Sequence, residues 1–211
     1  MAAPPPPPTY VDANRTWVDS RVRHLVGLHL EGPALARLGA RGAVCVEVGT
    51  GRRGLGTRVA VERFGARRVT AVDVHPASVD AARRRTRDLA SLPGVQVDVG
   101  VADAAALPLP DGSADLLVSF HLLHHADDWR AVLAEAARVV RPGGRLALTE
   151  MTSRFVDAPW LRAVSRHPAD RFSSEELLAA VRAAGFETAP ERTRRWFGDR
   201  VVQAVAVRAG A

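Results

Sequence analysis

Glu47, Asp73, Asp103 and Glu150 each stand at or just beyond the end of a short apolar run, and His124-His125 follow another. Acids and imidazoles at such positions sit where buried strands emerge from a core. A carboxylate there accepts hydrogen bonds from ligand hydroxyl or amino groups, or balances a cation. An imidazole has an ordinary pKa near neutrality and can take a proton. Beyond Glu47 come Gly49, Gly51 and Gly54, and then an amphipathic stretch over 55–64. Glycines in a tight turn let a ligand approach the bare backbone, and N–H groups at a helix start face it. This spacing also fits a dinucleotide fingerprint, so alone it leaves the nucleotide-like ligand open.

These residues need strands to hold them. Val44–Val48, 68–74, 95–101, Ala114–Phe120 and 145–150 read as strands, with helical patterns over 55–64, 76–90 and from Asp127 or Asp128 to 140. A capping-box pattern at Ser173-Ser174-Glu175-Glu176 starts another helix, ending at Gly185. Two last strands, 186–193 and 200–207, follow it. The alternation predicts an α/β fold. It is a doubly wound, mostly parallel seven-stranded sheet of Rossmann-like type, with an antiparallel hairpin at one edge. Residues 11–39 read as helical, divided at Gly27 and at Gly32-Pro33. Residues 151–172 carry little regular pattern. The organisation expected is a proline-rich disordered tail over 1–9, a helical cover over 10–40 and one ligand-binding domain over 41–211.

Composition removes several functions. With 211 residues, 47% hydrophobic and 25% charged, the chain has the makings of one globular domain. No apolar run approaches the roughly 18–20 residues of a membrane span. The first residues lack the basic and apolar regions of a secretory leader. The single cysteine, Cys45, excludes an internal disulfide and reads as a small core residue, so the cytoplasm is the default compartment. The net charge of +6 comes entirely from arginine, since the chain has no lysine. Such a bias fits a GC-rich genome, and the arginine runs at 83–87 and 192–195 lack interleaved aromatics apart from Trp196. Nucleic-acid binding is therefore set aside in favour of a small-molecule partner, with a homodimer as the expected assembly.

In an open parallel sheet the ligand sits beyond the strand carboxyl ends, where strand order reverses. Asp73, roughly 20 residues past the glycine turn, is placed for both hydroxyls of a ribose. Glu47 would oppose a pyrophosphate but suit a ligand bearing positive charge, as S-adenosylmethionine does. Asp103 suits an adenine amino group. The segments VEVGTGRRG at 46–54, VTAVDVHPASVDAAR at 69–83, the long run GVADAAALPLPDGSADLLVSFHLLHHADDWRAVLAEAARVVRPGGRLALTE at 100–150 and SSEELLAAVRAAGF at 173–186 carry a resemblance. Over roughly 43–207 the chain resembles the class I S-adenosylmethionine-dependent methyltransferases that modify small molecules. Arg52-Arg53 departs from the small or polar residues that many relatives place in the glycine loop.

The resemblance implies that Glu47, Gly49, Thr50 and Gly51 hold the methionine portion, Asp73 and Val74 the ribose side, and Asp103 with Ala104 the adenine. Phe120 would line the donor cleft. Methyl transfer is an in-line displacement that depends on placing the acceptor about 3 Å from the methyl. A base matters only if the acceptor carries a proton. His121, His124, His125, His167 and Glu150 are the groups to consider, and His125 is preferred over His124 as the one facing the cleft. Glu150 is expected to contact substrate. No metal is expected, because no carboxylate–histidine spacing supplies three ligands. Arg154, His167 and Arg171 would bind an anionic part of the acceptor, under a cover that includes Trp17. The alternatives are a cofactor-binding auxiliary or cyclase-like protein without methyl transfer and, third, an RNA methyltransferase.

Overall fold

The computed structural model describes residues 20–164 and 167–210. The expected proline tail and Trp17 lie outside the described residues. Five strands form the parallel part of the sheet: β1 (Val44–Val48), β2 (Arg68–Asp73), β3 (Gln96–Val101), β4 (Ala114–Phe120) and β5 (Val140–Met151). The antiparallel part is β6 (Phe186–Glu187), β7 (Thr193–Trp196) and β8 (Val201–Arg208). The order is β3-β2-β1-β4-β5-β8-β6, with β7 also paired to β8. Chain order therefore reverses between β1 and β4, which pair in parallel from Cys45↔Leu116 to Val48↔Ser119.

The central strands are apolar on both faces because helices cover both faces. One layer is α1 (Arg21–Val26), a π-helical turn (Gly27–Glu31), α2 (Gly32–Arg37) and α3 (Leu55–Arg63). It closes on Leu35, Val59, Phe64, Val69, Leu116 and Val118. On the other face, α5 (Trp129–Val139) and α8 (Ser174–Ala183) cover Val46, Leu117, Leu146 and Leu148. Trp129 is fully buried there against Phe172, with ring centroids 4.8 Å apart. A core aromatic of this kind is worth about 3–5 kcal/mol relative to Ala. Between β2 and β3 lies α4 (Pro76–Arg85).

Local signals set the helix ends. Asp128 caps α5 by accepting from the Ala131 N–H, and Ser173 with Glu176 forms a reciprocal capping box on α8. Where propensity and packing compete, packing decides. The expected breaks at Gly27 and Gly32-Pro33 do not occur. Both glycines are helical, and the rod runs through them by way of the π turn. Their lack of a side chain is used for close approach: a Cβ at Gly32 would lie 2.8 Å from Val59 Cγ1, and one at Gly27 would meet Leu55. Three further expectations are corrected. The sheet has eight strands, because the span expected as one strand over 186–193 holds only two residues of β6, a 3-10 turn and the start of β7. Residues 151–172 contain two short helices, α6 (Ser153–Val156) and α7 (Pro159–Val164). The last parallel strand, β5, begins at Val140, with an irregular register opposite Ala114 and Leu116.

Candidate active site

The loop after β1 is held from below by Glu47. Its carboxylate is buried and accepts from the Gly56 N–H (2.7 Å), the Thr57 N–H (2.8 Å), the Thr57 hydroxyl (2.5 Å) and the Thr50 hydroxyl (2.8 Å). Burial pushes this carboxyl up, and the donations from Thr57, Thr50 and Gly56 oppose that. Expected to face a cationic ligand, Glu47 has its lone pairs taken up by the first turn of α3 and by Thr50. Thr50 is likewise buried and turned to Glu47. Above them the backbone of Gly49, Gly51 and Gly54 takes positive φ (69°, 57° and 59°), open to residues without a Cβ at little cost.

Asp73 ends β2 and faces this loop. One carboxylate oxygen accepts from the Gly51 N–H and the other from the His75 N–H, both at 2.9 Å. A carboxylate has about four acceptor sites, so two remain for ligand hydroxyls. Beside it Val74 is 48% exposed, an apolar side chain on an otherwise polar rim. Asp103 is exposed past β3 and accepts from the Ala105 N–H (2.9 Å), while Ala104 is buried in the core. Phe120, expected to line the donor cleft, is buried in the apolar cluster with Leu35 and Val59.

Across the reversal point, β4 ends in a sharp bend. His121 takes a left-handed φ of 58°, unusual outside glycine, and its N–H donates to the Thr149 carbonyl at 2.8 Å. Its Nε2 lies 3.0 Å from Glu31, which also receives Arg23 at 2.8 Å. Burial pushes Glu31 up, but His121 and then Arg23 overcome this and bring its carboxyl down to about 2. Gln203 of β8 joins the same knot by donating to the Glu31 carbonyl and the Thr149 hydroxyl. Nothing in the spacing of Arg23, Glu31, His121 and Gln203 marked them as partners.

The bend leads into a 3-10 turn, Leu123–His125. Glu150 beneath it is fully buried, and one oxygen accepts from the Ser119 hydroxyl and from the Leu122 and Leu123 N–H groups, each at 3.0 Å. The other lies 2.9 Å from His124 Nδ1. Burial pushes Glu150 up to about 7, against His121 and the donations from Leu123, Ser119 and Leu122. Expected to contact substrate, Glu150 lies beneath the turn, where it holds the Leu122 and Leu123 N–H groups and His124. His124 is itself buried, whereas His125 is partly exposed. His167, from the segment after α7, stacks on His125 with centroids 5.0 Å apart and lies 5.5 Å from His124. Burial holds His124 and His125 well below the ordinary imidazole range and lowers His167 as well.

The expected anion-binding group does not form as such. Arg171 pairs with Asp157 at 2.5 Å. Arg154 is exposed beside Glu175, Arg195 and Asp199, groups of both signs.

Known proteins are similar to this chain. Residues 46–148 match the family described as "Methyltransferase domain". A 27-O-demethylrifamycin SV methyltransferase of Amycolatopsis mediterranei is 40% identical over 92 residues, 41% of this chain and 34% of that protein. A demethylmenaquinone methyltransferase of Tropheryma whipplei is 31% identical over 158 residues, covering 74% and 61%. The chain spans less than two thirds of the length of these curated relatives. Among solved structures, an S-adenosylmethionine-dependent methyltransferase from Aquifex aeolicus shares the fold with a TM-score of 0.71 at 22% identity, over 93% of this chain and 98% of that one. Residues 46–148 are thus similar to methyltransferase domains, and the fold is one that an S-adenosylmethionine-dependent methyltransferase also has. No helix among the described residues is long and apolar enough to cross a membrane.

Proposed function

We propose that this protein transfers the methyl group of S-adenosylmethionine to a small-molecule acceptor seated over the carboxyl ends of β4 and β5. The observation that carries the reading is the reversal between β1 and β4. It sets a loop-and-carboxylate rim, Gly49 to Gly51 with Asp73 and Val74, on one side and a group of imidazoles on the other. The donor's ribose belongs on Asp73, its adenine between Val74 and the Asp103–Ala104 backbone, and its methionine portion along the glycine loop. The relatives named above, methyltransferases named for small molecules, support an acceptor of that kind.

In the transfer, a lone pair of the acceptor forms the bond to the methyl carbon as the carbon–sulfur bond breaks, leaving a neutral thioether. The sulfonium is already a good leaving group, so the protein supplies proximity and alignment. His125 is the imidazole set against the acceptor, because Glu150 and the core hold His124. The test is release of S-adenosylhomocysteine from purified protein supplied with the donor and a panel of hydroxyl, carboxyl and amine acceptors. Acceptor-dependent release is expected, and His125→Ala should lower it roughly 10²–10⁴-fold while cofactor affinity is kept. Tight donor binding with no release from any acceptor would favour a non-methylating auxiliary instead.

A further inference from the structure

His124, His125 and His167 bring one ring nitrogen each to within 4.8 Å of the others. Three features make this more than a crowd of imidazoles. Two come from one 3-10 turn whose N–H groups are fixed on Glu150, so their backbone is already set. Glu150 also engages Nδ1 of His124, which leaves Nε2 as the nitrogen to offer. A carboxylate behind a ligating imidazole is the recurring outer-shell device of histidine metal sites, where it fixes tautomer and orientation. The third imidazole comes from a segment remote in sequence, which is why spacing alone indicated no ligand set.

We propose that His124, His125 and His167 form a binding site for one first-row divalent transition metal ion, of which zinc is the representative, with a coordination position left open beside the acceptor space. Imidazole nitrogen selects this group of metals over magnesium and calcium, which take oxygen ligands. Zinc–nitrogen bonds of about 2.0–2.1 Å in a tetrahedron bring the nitrogens to about 3.3 Å from one another. The three nitrogens must therefore draw together when the ion binds; the rings of His125 and His167 are the partly exposed ones. Three protein ligands with a vacant fourth position is the arrangement of a metal that receives an exogenous oxygen or nitrogen group.

An imidazole that ligates the ion cannot also take the acceptor's proton, so the loaded site would act on the acceptor through its open position in place of His125. The site rests on the proposed reading only for that acceptor space, and S-adenosylhomocysteine affinity measured on the same samples reports on that reading separately. Tag-free protein stripped with a chelator would be titrated with zinc by calorimetry, and with cobalt by visible absorption. One zinc per chain is expected, together with the intense bands of four-coordinate cobalt. Glu150→Gln should weaken zinc roughly 10–100-fold, as loss of an outer-shell partner does, and His125→Ala and His167→Ala by more. His29→Ala, at an exposed position on the π turn, should change nothing. Unaltered zinc affinity in both His125→Ala and His167→Ala would overturn the proposal. So would the absence of stoichiometric uptake by the unmodified protein, or an equal loss in His29→Ala.

Discussion

At the scale of single residues, Glu47 and Asp73 look alike in the sequence and do different work. Both end a strand beside the glycine loop, but Glu47 is spent on four protein donors while Asp73 keeps acceptor capacity toward the ligand side. On the proposed reading Asp73→Ala removes charge-assisted hydrogen bonds to the ribose worth roughly 1.5–3 kcal/mol. Affinity for S-adenosylhomocysteine should fall at least about tenfold by calorimetry. Because the Gly51 and His75 N–H groups lose their acceptor too, the melting temperature should drop as well. Glu47→Gln places an NH₂ against N–H donors in a buried site and should cost about 1–3 kcal/mol of stability in denaturant melts. An affinity loss in Glu47→Gln as large as in Asp73→Ala, with unchanged stability, would return Glu47 to the ligand.

At the scale of elements, the knot of Glu31, Arg23, His121 and Gln203 joins the helical rod to the ends of β4 and β8. The folded-state pKa of Glu31 is about 2, below its ordinary value of 4.5. A depressed carboxyl stabilises the fold fully above its unfolded pKa, and that contribution disappears as pH falls through the folded value. Between pH about 4.5 and about 2, the protein should lose on the order of 2 kcal/mol from this group. Denaturant unfolding of the native protein and Glu31→Gln should show a stability difference at pH 7 that shrinks across that window. A difference independent of pH would remove the ionised pair from the account.

This knot also marks what the sequence could show. The strand ends at Glu47, Asp73, Asp103 and Glu150 were legible because apolar runs of strand length stop there. The direction of their side chains was not, and it turned Glu47 and Glu150 inward. Gly27 and Gly32 read as breaks because intrinsic propensity is all a sequence displays; the approach of Leu55 and Val59 that they permit is a tertiary fact. His167 and Arg171 stood out for their types, but only the fold sends the first to the histidine turn and the second to Asp157.

For the whole molecule, the sheet divides labour across its reversal point. On the proposed reading the parallel half, β3-β2-β1, presents the donor rim, and β4-β5, flanked by antiparallel β8, presents the histidine turn and its supporting network. The central claim is that donor and acceptor meet across this line. A crystal structure with S-adenosylhomocysteine bound tests it most directly. The account predicts ribose hydroxyls about 3 Å from Asp73, adenine against Val74, and the sulfur pointing across β1 to the side of His125. Ligand density elsewhere, or a sulfur turned away from the histidine turn, would contradict it.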